Sequence, residues 1–188
     1  MAAVSPHAFD ALIDRLPPRL EPVDAPIAAG DGVIHAAVAL LLRRSPKEAA
    51  SVGGAEILFI KRSVREGDPW SGHIAFPGGR AEPGDRSLAD VAVREVSEEV
   101  GIDIRGGGRI LGRLPMVEPV SRLLPPVAVT PFLVVAPDGA AARPDQEEVE
   151  DAFWRSTRVA TAGEKNDFPF DASWIASTRS SSTESFNR

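Results

Sequence analysis

Residues 76–102 read FPGGRAEPGDRSLADVAVREVSEEVGI, and this stretch decides how the rest of the chain is read. Ser87 stands where a helix N-cap belongs, with Asp90 three residues on as in a capping box, and Gly101 stands where a left-handed C-terminal residue belongs. Between them Ala89, Val93, Val96 and Val100 recur at helical spacing, which predicts a helix with one face in the core. Glu95, Glu98 and Glu99, at i, i+3 and i+4, point about 130° away from that apolar set on a helical wheel. Three carboxylates on adjacent turns repel by a few tenths of a kcal/mol per pair. A hard divalent cation such as Mg2+ turns that repulsion into coordination and keeps waters that substrate phosphates can replace. The stripe therefore reads as a metal site with Glu95, Glu98 and Glu99 as ligands. Just upstream, Gly78-Gly79 reads as a tight turn whose glycines allow positive φ and close backbone approach, so that the Gly79 carbonyl can reach the same ion.

Outward from this helix the chain reads as strands and loops. Val33–Leu42 is an apolar run, and Glu56–Arg62 is a second strand expected to pair with it in one sheet. The loop from Ser63 to Gly72 carries Arg65 and Trp70, which either clamp a nucleotide beside a phosphate site or, for Trp70, plug the loop onto the core. Likewise His73 either bonds substrate or serves a structural hydrogen bond. Beyond Gly101 the period changes to two, with strands expected at Arg109–Leu114 and Val127–Val135. Pro115–Pro126 reads as a surface loop near the site, and Gln146–Asp151 as an acidic lead into a strand at Ala152–Trp154. At the start, Phe9, Leu12, Ile13 and Leu16 predict a short helix within residues 6–20, stopped by Pro17-Pro18, and residues 21–32 read as a linker. The expected organisation is an N-terminal helix and linker arm (1–32), one catalytic domain (33–176) and a disordered polar tail (177–188).

Composition narrows the function classes. The 188 residues are 43% hydrophobic and 26% charged, ordinary for a globular protein. There is no cysteine, which excludes disulfides, thiolate catalysis and cysteine-ligated zinc, and the three histidines are scattered. Oxygen ligands remain. A net charge of −6 argues against a nucleic-acid coat or a membrane-surface role, both of which need a basic face. No apolar run is long enough to span a bilayer and no signal-peptide pattern opens the chain, so a cytoplasmic location is expected.

Arg94-Glu95-Val96-Ser97-Glu98-Glu99-Val100-Gly101-Ile102 resembles the second half of the Nudix box at every position, and the preceding Gly78-Gly79 and the strand–loop–helix context agree. The first half departs from the family pattern: Asp85 stands where a glutamate is usual, and the segment before Arg94 is one residue longer. Asp85 and the extra residue are similar to the coenzyme A diphosphatase-like branch, as are Arg62-Ser63, Gly72 and Phe76-Pro77-Gly78-Gly79, although the spacing from Ser63 to Gly72 is one longer than that branch shows.

The resemblance implies the Nudix fold, an α/β (α+β) arrangement with a mixed sheet sandwiched between helices. It implies Mg2+- or Mn2+-dependent hydrolysis of a nucleoside diphosphate linked to another group, coenzyme A or acyl-CoA being favoured. ADP-ribose, dinucleotides or nucleoside triphosphates are the alternative substrates, and a nucleotide-sensing module without turnover is the alternative role. Arg94 is then expected to orient the glutamates. The base is expected to be Glu148, then Glu147, or Glu98 if that carboxylate faces the attacking water. Attack on a diphosphate builds negative charge on its oxygens, which Arg62, Arg65 and Arg80 are placed to neutralise. Relatives close the fold with an apolar helix, whereas after Trp174-Ile175 this chain is polar. Either the end is altered or a second copy covers the sheet, and a homodimer is expected.

Overall fold

The computed structural model describes residues 8–25, 32–46, 54–67, 70–118 and 126–157. In chain order its elements are helix α1 (Ala8–Arg15), strands β1 (Ile34–Arg44), β2 (Ala55–Arg62), β3 (Ile74–Ala75) and β4 (Gly78–Arg80), helix α2 (Leu88–Val100), and strands β5 (Arg109–Arg113), β6 (Val127–Val135) and β7 (Val149–Ser156). Short 3-10 turns at Pro17–Arg19 and Ile104–Gly106 complete the set. The described residues fall within one compact unit, Met1–Arg158. The tail from Ser177, and Trp174-Ile175 with the dimer face inferred from them, lie outside the described residues.

Strand β1 is the spine of a mixed sheet. It runs parallel to β6, from Ile34 opposite Val127 to Leu42 opposite Val135. Its other edge is shared by two antiparallel neighbours: β4 along Ala36–Val38 and β2 along Leu42–Arg44. β2 then pairs with β3 and β7, and β5 pairs with β6.

The apolar run of β1 from Ala36 to Leu42 follows from burial on both sides. Ala37, Ala39 and Leu41 face α2, where they meet Val96, Val100, Leu58, Ile60, Phe132 and Val134. Leu42 and the half-buried Leu40 face the other way, into a cluster with Phe9, Ile13, Ala55 and Leu133. The first helix thus covers part of the second face. Burying Phe9 and Ile13 is worth roughly 1.5–3 kcal/mol each. A 2.8 Å ion pair from Arg44 to Asp10 closes the edge of this contact.

Three local expectations are corrected. The stretch 21–32 is not wholly a linker: Glu21 forms an antiparallel bridge with Arg113, backbone and side chain both engaged. Gly78-Gly79 is not a positive-φ turn; both glycines are extended residues of β4. They are glycines because of crowding, since a Cβ at Gly78 would strike the Ala37 carbonyl oxygen. Nor does α2 bury a single face, because Val91, Ala92, Glu95 and Glu99 are buried together with the predicted apolar set. β4 lies against the helix's carboxylate side, covering Glu95 and Glu99 and leaving Glu98 half exposed.

Candidate active site

Helix α2 begins and ends as its sequence dictates. The Ser87 hydroxyl accepts the Asp90 N–H, and Gly101 adopts φ 65°, its N–H donating back to Ser97 O and Val96 O. These caps fix the register that sends Glu95, Glu98 and Glu99 toward β4.

Arg94 is the hub of the cluster. Its Nε and Nη2 donate to the two oxygens of Asp85 at 3.1 Å each, and Nη2 also donates to Arg80 O at 3.1 Å. Its Nη1 donates to Glu95 Oε1 and Glu98 Oε2, both at 2.9 Å. The Asp85 hydrogen bonds hold the Arg94 guanidinium above its usual range, and the same contacts hold the Asp85 carboxyl below its own. Asp85 N–H donates to Glu82 O and Glu82 N–H donates to Asp85 Oδ2, and this closed turn aims the carboxylate at Arg94.

Glu99 is the deepest carboxylate, with its side chain only 1% exposed. It accepts the Gly78 N–H at 2.9 Å, and Arg62 Nη1 stands 3.5 Å from its other oxygen. Burial outweighs these contacts and, with the Glu95 charge close by, pushes its pKa up to about 7. Glu95 is raised as well, chiefly by burial. It rests against Gly79 so closely that a Cβ there would land on its Oε1. Gly79→Ala is therefore expected to displace the Glu95 carboxylate, costing about 1–3 kcal/mol as an overpacked site and most of the activity. Thermal melts and turnover on the same preparation check this.

Apart from Asp85, which backs Arg94 from outside, these groups line one cavity of about 720 Å³, within the range of small-molecule sites. Glu95, Glu98, Glu99 and Glu148 occupy it together with Arg62, Arg65, Arg80 and Arg94, while Ala36, Val38, Phe76, Val127 and Val129 supply an apolar wall. Trp70 lines it too and is 36% exposed, so it borders the cavity and does not plug the core. His73 also borders it, while its backbone N–H and C=O tie the loop to Trp70 and Arg62.

The predicted site residues reach one place except Glu147, the second candidate base, which is not among the residues lining the cavity, and not all of them stand in the predicted state. Arg62 lies against Glu99, and Arg65 is turned onto the Glu147 backbone. The sequence reading missed Asp85 as the anchor of Arg94, Asp145 as the turn that carries Glu148, and the apolar wall. The signal available for Asp85 was a carboxylate preceding an arginine-bearing helix. Alternation along β1 and β6 marked the wall only once their pairing was known.

The donor set fits a hard divalent cation. Its side-chain donors are all carboxylates, two of them buried and held above their normal pKa by desolvation, a state that a bound cation relieves. Among the described residues no three such groups converge as a ready-made cluster, and the geometry gives the reason: Arg94 bridges Glu95 and Glu98 while Gly78 N–H and Arg62 hold Glu99.

A mixed sheet with a capped, carboxylate-bearing helix crossing a glycine strand defines a class, and the comparisons agree. The model of the NUDIX domain matches residues 33–177, and the chain belongs to this family. The uncharacterized Nudix hydrolase NudL of Yersinia enterocolitica is 37% identical over 83 residues, 44% of this chain and 40% of that protein. The mitochondrial coenzyme A diphosphatase NUDT8 of Homo sapiens is 33% identical over 122 residues, 60% of this chain and 49% of that protein. The chain thus spans half the length or less of these curated relatives. Among solved structures, the NUDIX domain of Shewanella oneidensis NrtR complexed with ADP ribose superposes with a TM-score of 0.53 at 18% identity, covering 71% of this chain and 79% of that one. At that identity the likeness speaks for the fold. No helix among the described residues is long and apolar enough to cross a membrane.

Proposed function

We propose that this chain is a metal-dependent hydrolase of nucleoside diphosphates linked to a second group, with coenzyme A or an acyl-CoA as its substrate. The observation that carries the reading is the polarised cavity, in which five carboxylates, Glu82 among them, and four guanidinium groups share a space with one apolar wall. A diphosphate ester has matching halves: anionic oxygens for the arginines, and a base or a pantetheine chain for Phe76, Val127 and Val129. The choice of coenzyme A is supported by the Arg62-Ser63 and Phe76–Gly79 pattern and by the activity after which the human relative is named.

The reaction is attack of water on one phosphorus, with the bond to the bridging oxygen breaking to leave two phosphate monoesters. Glu95, Glu98 and Glu99, with the Gly79 carbonyl, would hold Mg2+ or Mn2+, which when bound supplies positive charge for the phosphate oxygens and acidifies water. Arg80, with its side chain in the cavity, neutralises phosphate charge. Arg62 compensates the buried Glu99 and is near enough to share that task. Arg94 holds Glu95 and Glu98 in place, and Glu148 takes the proton from the attacking water.

A panel of coenzyme A, ADP-ribose and dinucleotides, each with Mg2+ or Mn2+ and with products identified by mass, tests this reading. Release of 3′,5′-ADP and a phosphopantetheine is expected. AMP from ADP-ribose or dinucleotides, with coenzyme A left intact, would replace the substrate choice while keeping the reaction class.

A further inference from the structure

The ladder between β2 and β7 slips between Lys61 and Arg62, so that regular pairing ends at Arg62 opposite Val149. Past that point the two chains are joined by other means. Ser63 N–H donates to Glu148 O at 2.9 Å, and Ser63 Oγ donates to Gln146 O at 3.2 Å. Arg65 then turns its guanidinium onto the same segment: Nε donates to Glu147 O at 3.0 Å, Nη2 donates to the same oxygen, and Nη1 lies 3.6 Å from Glu148 Oε1. The Arg65 backbone is itself pinned, its N–H donating to Ser71 Oγ at 2.7 Å.

The opposite side of this segment is tied to the carboxylate helix. Arg143 N–H donates to Val100 O at 2.8 Å, and Asp145 N–H donates to Glu99 O at 3.0 Å. Asp145 then folds the chain back, accepting the Glu147 N–H on its side chain and the Glu148 N–H on its carbonyl, each at 3.0 Å. Residues 143–148 are therefore strung between the end of α2 and the loop that begins at Ser63. Glu148 is the residue at which the two attachments meet, and its side chain lines the cavity.

We propose that Arg65, with Ser63, is a positioning residue that clamps the Gln146–Glu148 backbone and sets Glu148 over the carboxylate cavity, and is not a ligand of substrate phosphate. A guanidinium presents its donors in a fixed planar fork. Here Nε and Nη2 are committed to one carbonyl and Nη1 faces the next side chain, which leaves Arg62 and Arg80 for the diphosphate. Carboxylate placement is demanding, since a base must stay within hydrogen-bond reach of the proton it takes, and the Glu148 side chain is half exposed, with Arg65 at its side.

The inference rests on the hydrolase reading, and its test separates the two. Arg65→Ala, Glu148→Gln and the double variant are compared by steady-state kinetics on whichever diphosphate the wild type cleaves. Arg65→Ala is expected to lower kcat by about 10- to 100-fold with KM within about threefold, and to add less than about twofold in the Glu148→Gln background. Arg65→Lys, which keeps the charge on a single donor nitrogen without the planar fork, is expected to recover part of kcat. A rise in KM at unchanged kcat, losses that multiply in the double variant, or an inert Glu148→Gln would each overturn the assignment while leaving the enzyme standing. A wild type that cleaves nothing in the panel would remove the hydrolase reading and this inference with it.

Discussion

Glu99→Gln is expected to lower turnover by at least about 100-fold and, in the chelated protein at pH 8, to raise the melting temperature. The two effects have one cause. In the metal-free fold burial pushes the Glu99 carboxyl from its ordinary 4.5 up to about 7, so the folded state binds a proton that the unfolded chain has already lost. A raised pKa contributes stability that is fully present below the unfolded value and is lost as pH rises through about 7. At 1.36 kcal/mol per pH unit the penalty on the ionised fold is on the order of 3 kcal/mol. Glutamine carries no charge and keeps an oxygen to accept the Gly78 N–H, so it escapes that penalty. With EDTA present the variant should melt higher by about 5–10 °C at pH 8, and the gain should vanish as pH falls below the ordinary 4.5. With Mg2+ present the order should narrow or invert, because the ion stabilises only the protein that binds it. Glu98→Gln provides the contrast: that side chain is half exposed, so turnover should fall with little change in melting. Undiminished hydrolysis in both variants would place the metal chemistry elsewhere.

Features whose causes lie within a few residues were legible in the sequence. The ends of α2 follow from Ser87 and Gly101, because a cap is completed by backbone groups three or four positions away. The extent of β6 follows from its alternation. The glutamate triad could be placed on one helix side by spacing alone. What could not be read depends on partners far along the chain. Gly78 and Gly79 look like a turn until β4 is laid on Ala37 and Val38, and only then does crowding become the reason for both glycines. Arg65 looks like a free cation, and the carbonyl it binds is 82 residues away. The burial of Glu95 and Glu99 follows from β4 crossing the helix, a tertiary event that turns an apparent surface stripe into a desolvated site. Asp85 fell between these cases. Its turn with Glu82 is local, but its match to Arg94 joins residues nine apart across the start of α2.

Arg94→Gln is expected to have the largest effect on the fold. The side chain is 22% exposed, and two of its carboxylate partners are more buried than it is, Asp85 at 9% and Glu95 at 11%. Removing a cation from such a set leaves desolvated anions facing one another, which costs about 3–5 kcal/mol, whereas the intact cluster is far closer to break-even. The melting temperature should fall by about 10 °C. The acid limb should change too. Arg94 holds the Asp85 carboxyl below its ordinary value, so the stability it contributes is fully present above about pH 4 and is lost as pH falls through the lower folded value. In Arg94→Gln that loss below pH 4 should be absent. Arg94→Lys separates charge from geometry. A single ammonium neutralises the cluster but cannot present the fork that reaches Asp85 on one side and Glu95 and Glu98 on the other. Lysine should therefore recover most of the melting temperature and little of the turnover. If it restored both, charge alone would suffice and the five directed hydrogen bonds of Arg94 would not be what orders the glutamates.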